Sequence, residues 1–115
     1  MRTLNDYFLT AKVTDISTAG SSFVAVPDGG KIIKILTSIK NAITTADAAI
    51  TFEIGGTAVT GGDITITQSG SAAGDVDSSE PTAANSVEEG DAIEIISDGG
   101  SSTACEMIVT FVIRR

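Results

Sequence analysis

Carboxylates are the residues of this chain whose spacing could support chemistry. Six of the fifteen form two closely spaced groups, Asp75, Asp77 and Glu80 in the first and Glu88, Glu89 and Asp91 in the second. Oxygen ligands at such spacing can hold a hard cation such as Ca²⁺. The first group is shorter than an EF-hand loop and lacks its closing glutamate. We therefore interpret both groups as solvated loop acids and predict no metal site.

Catalytic arrangements that depend on histidine are excluded, because the chain contains no His. Cys105 is the one cysteine, so no internal disulfide can form, and its position in a strand pattern indicates a small buried hydrophobe. Paired carboxylates can cleave glycosidic bonds, but without Trp and with one Tyr there is little to stack a sugar. We predict that the protein is not an enzyme and uses no cofactor.

The most informative element is the run 102–115 at the end of the chain. Its apolar residues alternate on one parity, which is typical of a half-buried strand: Cys105, Met107, Val109, Phe111 and Ile113. Ile108 and Val112 on the other parity indicate that the second face is also partly covered. Because the run contains no Gly or Pro, we expect it to lie in the middle of a sheet.

The rest of the chain reads as short strands between turn signals. We predict strands over 7–16, 22–26, 48–54, 57–60, 63–68 and 92–97. Segment 31–41 fits both a helical stripe and a strand face; strand is favoured because four isoleucines follow the turn 27–30 without an N-cap box. Residues 69–86 read as a long acidic loop, in which Pro81 could begin a short helix.

This pattern predicts an all-β protein, a β-sandwich of about eight short antiparallel strands with little or no helix. A jelly roll is the simplest such architecture. We expect an N-terminal arm over 1–6 and a single sandwich domain over 7–115. Only 4% of the residues are aromatic. The aromatic residues, most of which fit core positions, are Tyr7, Phe8, Phe23, Phe52 and Phe111.

Charge is unevenly distributed along this acidic chain, whose net charge is −8. No Lys or Arg lies between Asn41 and Ile113, whereas all acids except Asp6, Asp15 and Asp28 lie there. Such a balance argues against nucleic-acid binding. The sequence shows no signal peptide, transmembrane run or lipidation motif, so we expect no membrane partner. The charge pattern serves solubility, or it provides a basic end that docks on an acidic partner.

Several segments resemble small proteins encoded beside capsid genes in tailed bacteriophages. The resemblance runs through residues 4–7, 15–20, 26–32, 54–59, 70–77, 89–94 and 111–115. It includes the sequences Leu-Asn-Asp-Tyr at 4–7 and Val-Pro-Asp-Gly-Gly-Lys-Ile at 26–32. The chain is thus similar to phage head decoration proteins, also called capsid cement proteins.

The resemblance implies a structural virion protein that is made in the host cytoplasm and then binds the outside of an assembled capsid. It would be a homotrimer that bridges neighbouring major capsid subunits and stabilises the capsid. Related jelly-roll modules occur in phage fibres and spikes, so a receptor- or carbohydrate-binding module is the alternative. That alternative needs exposed aromatics or a calcium site, and the shortage of aromatics favours the capsid role.

The termini are our candidate capsid-binding residues, because extended termini can add a strand or an arm to a neighbour. The predicted capsid-binding residues are Arg2, Thr3, Leu4, Asn5 and Tyr7 in the arm, with Arg114 and Arg115 at the other end of the chain.

Overall fold

The computed structural model describes residues 2–115, within which every regular element is a β-strand. The strands are β1 (Asp6–Val13), β2 (Gly20–Ala25), β3 (Gly30–Ile39), β4 (Ala48–Ile54), β5 (Thr57–Ala58), β6 (Ile64–Ile66), β7 (Val76–Ser79), β8 (Ser86–Val87), β9 (Ala92–Ser97) and β10 (Met107–Arg114).

These strands form two antiparallel sheets. The first sheet has the order β1-β10-β3-β7, and β8 also pairs with β3. The second has the order β2-β9-β4-β5, and β6 also pairs with β4. The predicted fold class, an all-β sandwich of jelly-roll type, is confirmed. No helix in the part of the chain that the structure describes is long and apolar enough to span a membrane.

Strand β10 lies in the interior of the first sheet, as predicted, between β1 and β3. All five apolar residues of its predicted inward parity are buried, from Cys105 to Ile113. The strand begins at Met107 instead of residue 102, because the preceding residues bond outside the ladder. The Cys105 carbonyl accepts from the Ile16 amide, for example, and the Ser102 amide donates to the Thr44 carbonyl.

The core lies between the inner faces of the two sheets and is built mainly from isoleucine and valine. Phe52 of β4 and Phe111 of β10 meet edge to face across it, with ring centroids 5.6 Å apart. Such a pair adds about 0.5–1.5 kcal/mol beyond the burial of its area. The two rings therefore join the sheets at the centre of the sandwich.

Segment 31–41 is a strand, as favoured from the sequence, but it carries an irregularity. The register between β3 and β10 shifts so that Lys34 faces Val112 and Ile32 faces Ile113, which leaves Ile33 without a direct partner. Such a bulge lets two residues oppose one and bends the strand. Ile32 and Ile35, three residues apart, consequently both point into the core.

Two parts of the predicted organisation differ from the structure. The segment 69–86 is not one irregular loop: β7 lies within it and pairs with β3, and β8 begins at Ser86. The short helix considered after Pro81 is absent, because Asn85 instead donates its side-chain amide to the Ile32 carbonyl at 2.7 Å. At the other end of the chain, Asp6 belongs to β1 and not to an arm, and Met1 lies outside the described residues.

Candidate interaction surfaces

Asp6 and Arg114 join the two ends of the chain in one ion pair. They face each other directly across β1 and β10. Arg114 donates from Nε to Oδ1 of Asp6 at 2.8 Å and from a terminal nitrogen to Oδ2 at 3.1 Å. The Asp6 side chain is only 1% exposed. Hydrogen bonds from Arg114 first, and then from Thr3, hold the pKa of Asp6 well below its ordinary value, and the pair raises the pKa of Arg114.

The same carboxylate fixes a tight turn over residues 3–6. The Asp6 amide donates to the Thr3 carbonyl at 3.1 Å, while Asp6 Oδ2 accepts from the Thr3 amide at 3.1 Å. This reciprocal bonding satisfies the backbone groups at the strand entrance. Leu4 stands in the turn with its side chain fully exposed. The turn thus displays an apolar side chain in a fixed position.

Arg115 ties the C-terminal end of the chain to the turn between β2 and β3. Its Nε lies 2.7 Å from Asp28 Oδ2, and its guanidinium lies 4.9 Å from the centre of the Tyr7 ring. The Tyr7 hydroxyl donates to the Asp28 carbonyl, and the Arg115 amide donates to the Asn5 carbonyl at 3.2 Å. Burial, followed by the charge of Asp28, raises the pKa of Tyr7.

The structure therefore brings six of the seven predicted capsid-binding residues together at one end of the sandwich, in a group that also contains Asp6 and Asp28 and that we call the terminal cluster: Thr3, Leu4, Asn5, Tyr7, Arg114 and Arg115. Arg2 is exposed beside it. The cluster differs from the predicted basic arm in two respects. Its backbone is a turn held by Asp6 instead of an extended segment. Its two arginines are each paired with an aspartate, so it carries less positive charge than the sequence suggested.

One carboxylate of each group of acids caps a turn. Asp75 Oδ2 accepts from the Ala72 amide and Asp91 Oδ2 accepts from the Glu88 amide, both at 2.8 Å. Across residues 2–115, no three Asp, Glu or Cys side chains are placed to hold a metal ion. Burial, together with the nearby charge of Asp75, raises the pKa of Asp77 on β7.

Asp15 and Cys105 form a structural junction near the start of β10. One Asp15 oxygen accepts from the Ser17 hydroxyl at 2.7 Å and from the Cys105 amide at 3.1 Å. Hydrogen bonds from Ser17, and next from Cys105, lower the pKa of Asp15. The Cys105 thiol is buried, as predicted, and donates to backbone carbonyls. This junction holds the approach to β10 and offers no exposed nucleophile.

The outer face of the first sheet is the second face of β10, which Ile108 and Val112 mark as apolar in the sequence; Val112 is buried and Ile108 is exposed. It carries Phe8, which is 60% exposed, together with Ile108, Val76 and Leu36. A groove of about 200 Å³ runs over it, lined by Leu36, Ser38, Val76, Ile108 and Thr110 among others. Lys12, Lys31 and Lys34 lie on the same face. We call this surface the basic face.

The outer face of the second sheet is acidic. Phe23 of β2, which is 66% exposed, stands beside Glu94 of β9, and Glu94 stands directly opposite Glu53 of β4. Ser21 donates its hydroxyl to Glu94 at 2.6 Å. The strands of this sheet contain no Lys or Arg. We call this surface the acidic face. Phe8 and Phe23 could have been recognised as exposed, because the alternation of β1 and β2 places them on the outward parity.

Comparison with known proteins reveals similarity of fold. No family model matches the chain, and no curated protein matches it. A chain from the acidic stable capsid structure of Helicobacter pylori bacteriophage KHP30 superposes with a TM-score of 0.63 and 11% identity, over 96% of this chain and 87% of that one.

Two further solved structures share the sandwich. CsCBM6-3 from Clostridium stercorarium, solved in complex with cellobiose, gives a TM-score of 0.58 and 12% identity over 99% of this chain and 86% of that one. Dimeric latent PorU from Porphyromonas gingivalis gives a TM-score of 0.52 and 13% identity over 96% of this chain. The matched region is only 13% of the PorU chain. At these identities the similarity establishes the jelly-roll fold.

Proposed function

We propose that the protein is a structural component of a bacteriophage virion, which binds the outside of an assembled capsid and bridges neighbouring major capsid subunits. The observation that carries this proposal is the match to the KHP30 capsid chain, which extends over 96% of this chain and 87% of that one. Nearly the whole molecule thus shares its fold with a capsid chain, and the resemblance of its turn sequences to phage head decoration proteins supports the same role. The role needs neither catalysis nor a cofactor.

The terminal cluster is the capsid-docking site in this proposal. Leu4 supplies an exposed apolar contact, and the turn that carries it is already ordered by Asp6 and Arg114. Ordering a loop during binding costs conformational entropy, so a turn that is already ordered binds at a smaller cost in free energy. Arg2 adds an exposed positive charge beside the turn. Assembly into a homotrimer would multiply weak single contacts through multivalency.

Cosedimentation with empty capsids of the phage that encodes the chain tests the proposal. We expect saturable binding with one trimer at each local threefold position. Leu4→Ser should weaken binding by about tenfold, the effect of losing roughly 1.4 kcal/mol of contact. Ala73→Ser, which also changes an exposed apolar residue but lies far along the chain in the segment before β7, is the matched control. Absence of saturable binding by the unmodified protein would refute the capsid role, and equal binding by both variants would remove the terminal cluster from it.

Carbohydrate binding is the second candidate function, and the exposed ring of Phe23 favours it. An aromatic ring beside a carboxylate and a hydroxyl, here Glu94 and Ser21, combines a stacking surface with hydrogen-bonding groups for a sugar. The similarly folded CsCBM6-3 was solved with cellobiose. Titration with cellobiose and with bacterial surface glycans, followed by NMR, should show binding that Phe23→Ala removes if this function holds.

A further inference from the structure

Three lysines and two glutamates of this chain lie on opposite outer faces of the sandwich. All lysines of the chain precede Asn41, and Lys12, Lys31 and Lys34 lie on β1 and β3 of the first sheet. Lys12 is paired with Glu106 at 3.0 Å. Lys31 and Lys34 form no salt bridge with any other residue of the range 2–115. The basic face therefore offers unneutralised cations next to exposed apolar side chains.

The acidic face presents the opposite electrostatic situation. Glu53 and Glu94 are direct cross-strand neighbours on β4 and β9, an arrangement of like charges that destabilises a sheet. No basic residue occurs on any strand of that sheet to offset it. A cation supplied from outside the sheet would relieve this repulsion. The exposed Phe23 ring next to Glu94 adds an apolar contact to the same patch.

The two faces also match in the order of their side chains. On the basic face, one row across three strands reads Phe8, Val112 and Lys34. On the acidic face, one row across three strands reads Phe23, Glu94 and Glu53. Adjacent strands lie about 4.8 Å apart, so the ring and the outer charge are separated by roughly 10 Å in both rows. Placing the rows against each other brings ring to ring and lysine to glutamate.

We propose that the basic face of one copy binds the acidic face of a second copy of this chain. Phe8 packs against Phe23 of the next copy, and Lys34 neutralises the Glu53–Glu94 pair. The groove beside Ile108 extends the apolar part of the contact. Because the two patches differ, the contact is heterologous: it generates a closed ring when the rotation between copies closes and an open stack when it does not. This inference does not require that the protein binds capsids.

Charge reversal with rescue by mixing tests the contact. Lys34→Glu places a glutamate in the contact row of both faces of a copy, whereas Glu53→Lys places a lysine in both rows. Each variant alone should therefore associate at least about tenfold more weakly than the unmodified chain. An equimolar mixture should regain association, because each variant complements the other. Sedimentation velocity up to about 100 µM, which detects micromolar affinities, at about 50 mM salt, where screening is weak, provides the measurement.

Controls keep the outcome specific to the two faces. Glu89→Lys makes the same charge change in the turn before β9 and should leave association unchanged. Circular dichroism of all variants should remain that of the unmodified protein, because the substituted side chains are not in the core. An unmodified chain that stays monomeric, or a Glu53→Lys variant that associates normally alone, would overturn the inference. A chain that binds capsids but stays monomeric would support the proposed function and contradict the contact between the basic and acidic faces.

Discussion

A single carboxylate organises the end of the sandwich where both termini lie. Asp6 accepts hydrogen bonds from Thr3 and Arg114 at the same time, and so joins a turn, an edge strand and the interior strand. An exposed ion pair contributes little because water screens it, but the Asp6 side chain is almost fully covered. The Arg114 side chain is partly exposed, so the covered Asp6 carboxylate is the charge that needs its partner. Asp6 therefore stabilises the strand pairing on which the terminal cluster depends.

Asp6→Asn should destabilise the protein at neutral pH and lose this effect in acid. The pKa of Asp6 is lowered by folding, so its contribution is fully present above the unfolded value of about 4 and declines as the pH falls below it. Urea unfolding at several pH values between about 7 and 2.5 measures the difference between the two proteins. Asp63→Asn, at an exposed carboxylate, is the control and should change little. A difference between Asp6→Asn and the unmodified protein that is independent of pH would contradict the assignment.

At the level of single residues, the sequence located the core better than the surface. Alternation identified the inward residues of β10 because burial and a period of two go together. It could not locate the partners of Asp6 and Asp28, since these come from the far end of the chain. The seven predicted capsid-binding residues have in common their position near the termini, and three of them are arginines. Whether an arginine among them is paired with an aspartate depends on which strands lie side by side and in what register. The sequence around each arginine does not show this.

Strand β3 shows why a periodic pattern can fit two structures. Its core-facing residues Ile32 and Ile35 are three apart, a spacing that also suits a helix. The register shift opposite Val112 produces this spacing within a strand. A bulge depends on pairing with a neighbouring strand, so it cannot be read from the segment itself. The strand interpretation succeeded because the β-branched composition of the segment outweighed its ambiguous period.

Strand β7 was missed because it has little signal of its own. Its sequence, Val-Asp-Ser-Ser, has an exposed valine and no buried apolar residue. Its backbone is held by pairing with β3, and Ser79 donates its hydroxyl to the Gly62 carbonyl at 2.7 Å. Edge strands of this kind are defined by the strand that they join. A loop prediction for 69–86 is therefore the expected error of reading side chains alone.

Gly30→Ala should weaken the junction between β3 and β10. A Cβ atom at Gly30 would lie 2.6 Å from the Arg114 carbonyl oxygen and 2.8 Å from a methyl carbon of Ile113. Backbone of an interior strand cannot move away cheaply, so we expect the free energy of unfolding to fall by about 1–3 kcal/mol. Gly29→Ala is the matched control: its nearest contact, the Val87 carbonyl oxygen, is at an ordinary 3.5 Å. Equal midpoints for the two variants in urea unfolding would contradict the close approach.

At the scale of the whole molecule, the fold class could be predicted from the sequence. The distribution of charge over the two faces of the sandwich could not. Turn residues and β-branched alternation predict a sandwich because every strand must bury one face. The sequence also showed that basic residues are confined to both ends of the chain. Only the sheet order places β1, β10 and β3 side by side and so collects three of the four lysines on one sheet. The acidic face consists of the strands that this order leaves in the other sheet.

The topology also predicts that the molecule depends on its last strand more than on its first residues. Four side chains of β10 are fully buried, and burying side chains of this kind contributes about 1.5–3 kcal/mol each, or roughly 6–12 kcal/mol together. The total stability of a domain this size is about 5–15 kcal/mol. Deleting residues 107–115 would also leave β1 and β3 without their shared partner.

We therefore expect the chain without residues 107–115 to be unfolded, with no cooperative thermal transition in far-ultraviolet circular dichroism. A chain without residues 1–4 loses the turn that displays Leu4 but keeps the Asp6–Arg114 pair, and it should remain folded with a moderately lower midpoint. Limited proteolysis of both truncated chains provides an independent measurement, because an unfolded chain is cleaved throughout its length. A cooperative transition in the chain that lacks β10 would show that the second sheet folds alone, which the shared core of the two sheets argues against.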